Sequence, residues 1–138
     1  MQINFLFGKK ASLNSPHSAL AKLNYGAALV EQGRPDEAIK VYQQGLEINS
    51  SEPMIHNNLG IIYVNREQYA AAKKELQEEI KVNPTYADAY YNLGVLCEKT
   101  GNEAEMTEAW EKALSINPNH TLARKALDKS IRHKMVAE

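Results

Sequence analysis

The sequence has a single cysteine, Cys97, and no long run of apolar residues among its 138 residues. One thiol excludes an internal disulfide framework and a metal site built from several cysteines. No stretch approaches the roughly 18–20 apolar residues that a membrane span requires, so we expect none. The N-terminal segment MQINFLFGKK has no basic stretch before its apolar residues. It therefore makes a poor signal peptide, which favours a cytoplasmic protein.

An excess of charge of one sign is also missing, since the formal net charge is −1. No overall field therefore attracts nucleic acid or an anionic membrane. The four histidines lie far apart without a metal-binding spacing, and no phosphate-loop, dinucleotide-binding or nucleophile-elbow motif occurs. We expect no cofactor, no metal site and no enzymatic activity. Hydrophobic residues make up 43% of the chain, which is enough to form a core.

What the sequence contains instead is a repeat with a period of 34 residues. Each period has an asparagine followed two places later by a glycine, although both residues are poor helix formers. The same spacing relates further sets of positions: Asn24, Asn58 and Asn92; Gly26, Gly60 and Gly94; Ala38, Ala72 and Met106; Tyr42, Leu76 and Trp110; Leu46, Ile80 and Leu114; Asn49, Asn83 and Asn117. A period kept at so many positions predicts a repeat architecture.

Each period carries two helical patterns joined by a short turn. In the third period, apolar residues recur at i, i+4, i+7 and i+8 from Ala89 and again from Met106. Gly101 suits a helix C-terminal cap and Asn102 an N-cap, while the Asn-Pro pair at 117–118 ends the second helix. We expect Cys97, on the apolar face of the first helix, to be a small buried hydrophobe.

The other two turns follow the same plan with differences. Residues 33–36 form the first turn, and Pro35 suits the first position of a helix. Glu67 stands in the second turn where the others have Gly33 and Gly101. A residue with a side chain is less suited to a tight C-terminal cap, so we expect a less sharp turn there.

Two helices joined by so short a turn lie antiparallel and need small residues where they cross. We expect the repeated glycine of the first helix to meet Ala38 or Ala72 on the second. Met106 replaces that alanine in the third period, which predicts a wider crossing. Glu79 occupies the site held by Gly45 and Ala113, and its carboxylate is expected either to be buried with a partner or to reach solvent.

These features together resemble the tetratricopeptide repeat family. The resemblance rests on the Asn-Leu-Gly motifs at 58–60 and 92–94, the small and bulky periodic positions, and the Asn-Pro helix ends. It implies an all-α fold, a right-handed superhelix of antiparallel helix pairs, or α-α solenoid. We expect an N-terminal extension at 1–18, three repeats at 19–52, 53–86 and 87–120, and a C-terminal capping helix at 121–138.

The two ends of the chain give separate expectations. The Ser-Pro pair at 15–16 predicts a first helix that starts near Pro16, and Asn119 or Thr121 is expected to cap the last helix. We expect the tail at 1–15, with its apolar Ile3, Phe5, Leu6 and Phe7, to pack loosely on the first repeat. The alternative is that it docks in a groove of another molecule.

The first helix of each repeat is apolar on two sides and should make contacts on both. In repeat one, Ala21, Tyr25, Ala28 and Leu29 are expected to face the core. The resemblance places the second face on a concave groove, with Asn24, Asn58 and Asn92 at its edge. Side-chain amides both donate and accept, so such a row could hold the backbone of an extended peptide. It is similar to the asparagine ladder of peptide-binding family members such as O-linked N-acetylglucosamine transferase.

Further residues complete the candidate peptide site. Apolar and polar neighbours on the same face are Leu23, Ala27, Asn57, Ile61, Val64, Tyr91 and Val95. Lys125 and Lys129 on the last helix could meet an acidic residue of the peptide, or they could belong to a solvated cap. The alternative for the asparagines is that each satisfies a neighbouring backbone group and binds nothing.

Another subgroup of the family binds the acidic C-termini of heat-shock proteins through a clamp of lysine, arginine and asparagine. That clamp needs basic residues where this chain has Leu23, Asp88 and Asn92, and an asparagine where it has Ala27. Only Asn58 matches, so we expect a different ligand.

The sequence therefore predicts a protein–protein interaction module that binds an extended, apolar segment of a partner protein. One alternative is a structural protein that self-associates into a homo-oligomer. The other is the substrate-recognition part of a larger enzyme, as the resemblance to the glycosyltransferase permits.

Overall fold

The computed structural model describes residues 17–138, and the regular structure in that part of the chain is entirely α-helical. Seven helices follow one another there: α1 Ala19–Glu31, α2 Pro35–Ile48, α3 Ile55–Asn65, α4 Tyr69–Val82, α5 Ala87–Thr100, α6 Glu103–Ile116 and α7 Thr121–Ala137. None of these helices is long and apolar enough to cross a membrane. The chain divides into two compact units, Met1–Leu59 and Gly60–Glu138.

Side chains that accept hydrogen bonds set the starts of two helices. Ser18 Oγ accepts from the Ala21 N–H at 3.0 Å, so α1 begins at Ala19. The predicted start near Pro16 is therefore wrong, and the Ser-Pro pair itself lies outside the described residues, as does the tail at 1–15. Asn102 Oδ1 accepts from the Glu105 N–H at 3.2 Å, which confirms its predicted role as the N-cap of α6.

Histidine, rather than a neighbouring asparagine or threonine, caps the last helix. His120 Nδ1 accepts from the Ala123 N–H at 3.1 Å. The predicted caps Asn119 and Thr121 are therefore wrong, because Thr121 is already the first helical residue. Asn119 instead donates its backbone N–H to Asn117 Oδ1 at 3.0 Å and belongs to the preceding turn.

The turns inside the three repeats share one backbone conformation. Gly33 has φ 73°, Gly101 has φ 78°, and Glu67 has φ 59°, all in the left-handed region. In each turn the next residue donates its N–H to the carbonyl five residues earlier. The expectation of a less sharp second turn is therefore wrong, because Glu67 adopts the glycine conformation at a cost of roughly 1–2 kcal/mol. Met54, which precedes α3, is a second strained residue, with φ 78°.

The repeated glycine of each first helix meets a bulky side chain, not the predicted alanine. A Cβ on Gly26 would lie 2.2 Å from the Tyr42 ring, and one on Gly94 would lie 2.2 Å from Trp110 Nε1. A Cβ on Gly60 would lie 2.8 Å from the Leu76 side chain. The crossing in the third repeat is therefore not wider, since the indole presses on its glycine as closely as the phenol does.

Each unit has a core made by these packed helices. In the unit that ends at Leu59, the side chains of Leu29, Tyr42 and Ile55 are buried. Tyr25 is 53% exposed, so its predicted place in the core is wrong. The other unit has two buried clusters: Val64, Ala72, Leu76 and Leu96 form one, and Ala87, Cys97, Met106, Trp110, Ala113, Leu114, Ala123 and Leu127 form the other.

Glu79 on α4 is fully buried, which decides between the two alternatives left by the sequence. Its carboxylate influences Tyr86 at the start of α5. Burial, followed by the nearby charge of Asp88 and then that of Glu79, raises the pKa of Tyr86 well above its ordinary value. The phenol therefore stays neutral across the physiological pH range.

We predict that Gly94→Ala lowers the free energy of unfolding by about 2–4 kcal/mol, because the new Cβ displaces the Trp110 ring and its hydrogen bond. At an unpacked helix position the same change would stabilise by about 1 kcal/mol. Urea denaturation measures the difference. The matched control is Gly94→Ala in a Trp110→Leu background, where the penalty should largely disappear; an equal penalty in both backgrounds would contradict the steric cause.

Glu67→Gly should raise the free energy of unfolding by about 0.5–1 kcal/mol, since relief of left-handed strain exceeds the added flexibility of the unfolded chain. Thermal denaturation followed by circular dichroism gives the shift. Gly33→Ala provides the reverse change at the equivalent turn and should destabilise. A stabilising effect of both substitutions would refute the shared geometry.

Candidate functional site

The candidate asparagines lie on α1, α3 and α5, the first helices of their repeats. Asn24 is exposed, while Asn58 and Asn92 are half-buried. None of the three amides is hidden beneath neighbouring helices. Each keeps surface from which a polar atom can reach a ligand.

The amide of Asn58 is held by two neighbouring side chains in the unit that ends at Leu59. Its Nδ2 donates to the Tyr42 hydroxyl at 3.2 Å. Its Oδ1 accepts from Asn57 Nδ2 at 3.4 Å. Burial raises the pKa of Tyr42, and the hydrogen bond from Asn58 opposes this in part, so the acceptor is a neutral phenol.

Three of the predicted contact residues are buried. The exposed fraction is 7% for Leu23, 3% for Asn57 and 6% for Val64. Val64 packs in the cluster with Ala72 and Leu76, and Asn57 spends an N–H on Asn58. These helices use both of their apolar faces for packing, so burial argues against direct contact of these three side chains with a peptide.

The other predicted contact residues keep more surface. Ala27 is half-buried, and Ile61 is 37% exposed on α3. Tyr91 and Val95 are partly buried on α5, where both pack against the core clusters of the second unit. These four side chains offer apolar surface of moderate size on the helices that carry the asparagines.

Tyr91 is fixed from two directions. Its ring stacks on the His120 ring with centroids 5.3 Å apart, and its backbone carbonyl accepts from Trp110 Nε1 at 3.1 Å. His120 Nδ1 accepts from a backbone N–H, so Nε2 carries the proton and donates to Asp88 Oδ1 at 2.7 Å. One imidazole therefore caps α7, ties it to α5 and supports the Tyr91 ring.

The two candidate lysines are exposed on α7. Lys129 borders a cavity of about 290 Å³ that also touches Cys97 and His133. The Cys97 thiol is buried as predicted, and burial together with the nearby Glu105 carboxylate raises its pKa, so it remains protonated and unreactive.

A cavity of about 730 Å³ lies on the second unit between α4, α5 and α6. Tyr90 and Leu93 form its apolar part, and the ion pair of Lys73 with Glu105, at 3.8 Å, lies at its edge. None of the residues predicted to bind a peptide lines it. Within residues 17–138, no group of three histidine, cysteine or acidic side chains is arranged to hold a metal ion.

Sequence reasoning missed two residues that organise the candidate site. Tyr42 was assigned only as a bulky packing residue, although of the three residues at its periodic position it alone has a hydroxyl. His120 follows an Asn-Pro-Asn turn directly before a helix, and that position was the available signal. In both cases the partner lies on another helix, so spacing along the chain does not show it.

Comparison with known proteins follows from this architecture. A family profile described as TPR repeat matches residues 26–65 and 62–101, and one described as tetratricopeptide repeat matches residues 87–120. Among curated proteins no significant match exists.

Solved structures give three informative similarities. MamA is 28% identical over 91% of this chain and 74% of its own, with a TM-score of 0.76. The first TPR of Spaghetti (RPAP3), bound to the HSP90 peptide SRMEEVD, is 25% identical over 87% of this chain and 94% of its own, with a TM-score of 0.77. YrrB, a TPR protein with an unusual peptide-binding site, is 29% identical over 73% of this chain and 52% of its own, with a TM-score of 0.68. These matches confirm the predicted all-α solenoid of helix pairs with a C-terminal helix.

The contact network around His120 leads to a prediction for α7. His120→Ala should lower the free energy of unfolding by about 1–2 kcal/mol and accelerate hydrogen exchange at the Ala123 amide, because the cap is lost. His120→Asn restores a good N-cap acceptor and should slow that exchange again. Unchanged exchange in the alanine variant would show that the imidazole does not cap the helix.

Proposed function

Since this chain belongs to the tetratricopeptide repeat family, we propose that it is a protein-interaction module that binds an extended peptide segment of a partner protein. The peptide backbone is held by Asn24, Asn58 and Asn92, one from each of the repeats at 19–52, 53–86 and 87–120. The observation that carries the proposal is the recurrence of an accessible amide at one position of every first helix.

An asparagine inside a helix weakens that helix by about 0.5 kcal/mol relative to a good helix former. The chain accepts this cost three times in one register, while the amides remain exposed or half-exposed. An amide that served only its own helix would have no reason to keep accessible surface in every repeat. Binding to the N–H and C=O groups of a peptide accounts for both features.

The surface beside the asparagines favours apolar peptide side chains of moderate size. Ile61 contributes the most exposed of these neighbours, with Ala27, Tyr91 and Val95 offering smaller areas. Because Leu23, Asn57 and Val64 are buried, their part in the site is to support it from beneath. Lys125 and Lys129 remain candidates for an acidic residue of the peptide.

Two of the similar structures support the peptide as ligand class. The first TPR of Spaghetti is bound to an HSP90 peptide, and YrrB has a peptide-binding site. For this chain we propose a different sequence preference from that of the heat-shock peptide. An acidic C-terminus needs cations, whereas Leu23 is apolar and buried and Asp88 is an exposed acid.

The experiment is selection of a displayed library of random nine-residue peptides on the full chain, followed by titration with the most enriched peptide carrying a fluorophore. Replacing Asn24, Asn58 and Asn92 by alanine should remove about 2–4 kcal/mol of binding free energy, or roughly 30- to 1,000-fold in affinity. The expected affinity of the unaltered chain is roughly micromolar, as suits a small interface.

The matched control is Asn65→Ala, which removes an exposed amide at the end of α3 and should leave the affinity unchanged. The peptide SRMEEVD should bind at least about tenfold more weakly than the selected peptide. Circular dichroism establishes that the triple variant is folded. If a folded triple variant binds as tightly as the unaltered chain, or if no peptide is enriched, the proposal is wrong.

Self-association is the second candidate function, favoured by apolar surface at the end of α7. Ile131, Met135 and Val136 are 48%, 70% and 88% exposed. We predict that, if this surface joins copies of the chain, sedimentation velocity shows a concentration-dependent oligomer that the substitutions Ile131→Asp and Met135→Asp abolish. A monomer at all concentrations would remove this candidate.

A further inference from the structure

We propose that Tyr42 is a positioning residue, whose buried hydroxyl fixes the Asn58 amide in the orientation that binds a peptide backbone. The inference rests on the proposed function, and it makes one rung of the asparagine row different from the others. Tyr42 lies on α2, the second helix of repeat one, whereas Asn58 lies on α3. The contact therefore links the packing of one repeat to the binding surface of the next.

Two hydrogen bonds define which end of the Asn58 amide is which. Nδ2 donates to the Tyr42 hydroxyl at 3.2 Å, and Oδ1 accepts from Asn57 Nδ2 at 3.4 Å. A flipped amide would place its own N–H groups against those of Asn57 and lose that bond. In the orientation observed, one N–H and one lone pair of Asn58 remain for a ligand. A peptide backbone offers the complementary C=O and N–H.

The position of the Tyr42 hydroxyl is itself fixed by packing. The residue is 1% exposed, and its ring occupies the space that a side chain at Gly26 would need. The phenol cannot swing away without opening the crossing of α1 and α2. Because the anchor is rigid, Asn58 loses little rotational freedom when it binds, which favours affinity without any contact between Tyr42 and the peptide.

The next repeat lacks this device. The tyrosine precedes its asparagine by 16 residues, and the residue 16 places before Asn92 is Leu76, which has no hydroxyl. Whatever holds Asn92 is therefore of another kind. The repeats are equivalent in backbone register and unequal in how their amides are prepared for binding.

The test compares Tyr42→Phe, Asn58→Ala and the double variant, using the enriched nine-residue peptide described above as the probe. Tyr42→Phe keeps the ring against Gly26 and removes only the hydroxyl, so the fold is retained. We expect affinity to fall about three- to tenfold in the full-length chain. In the Asn58→Ala background the same substitution should have no effect, since there is no amide left to position. Tyr69→Phe, which removes a phenol hydroxyl on α4, is the matched control and should bind normally.

A readout without any peptide separates positioning from general stability. The NMR order parameter of the Asn58 side-chain NH₂ should fall in Tyr42→Phe, because the amide becomes free to rotate. Normal binding by Asn58→Ala overturns the proposed function together with this inference. Weakened binding by Asn58→Ala with normal binding by Tyr42→Phe overturns the inference alone. An equal loss from Tyr42→Phe with and without Asn58 would show a merely structural role and overturn it too.

Discussion

Each helix pair depends on the absence of a side chain at one position of its first helix. Gly26, Gly60 and Gly94 admit a phenol, an isobutyl group and an indole into space that a Cβ would fill. Residues two places apart on a helix point about 200° away from each other. An asparagine two residues before such a glycine therefore faces away from the partner helix of its own repeat. The packing constraint and the accessible amide are two results of one motif.

Part of this architecture follows from local chemistry and was predictable for that reason. The 34-residue period, the turn glycines and the Asn102 cap depend on residues close together in the chain. Hydrophobic spacing gave the two helices of each repeat, and the resemblance to tetratricopeptide repeats was confirmed by the family matches. Local propensity, periodicity and capping agree in these segments, and agreement of that kind is what makes a sequence readable.

The remainder depends on which side chains meet across helices. Tyr25 and Leu23 exchange their expected roles, because both faces of α1 are apolar and periodicity does not tell the packed face from the accessible one. The hydroxyl of Tyr42 and the imidazole of His120 find partners 16 and 32 residues away. Glu67 takes a glycine conformation since the hydrogen bonds of its turn override its own preference. The candidate site consists largely of such long-range choices, so its residues were harder to predict than the fold.

Strained backbone is concentrated around a single helix. Met54 precedes α3 and Glu67 follows it, and both are residues with side chains held at positive φ. Unwinding of α3 would let both relax, which lowers the free energy needed to open this segment relative to its neighbours. The middle repeat is accordingly the point at which heat or a protease should first gain entry. The helix that carries Asn58 is thus also the one with the least conformational reserve.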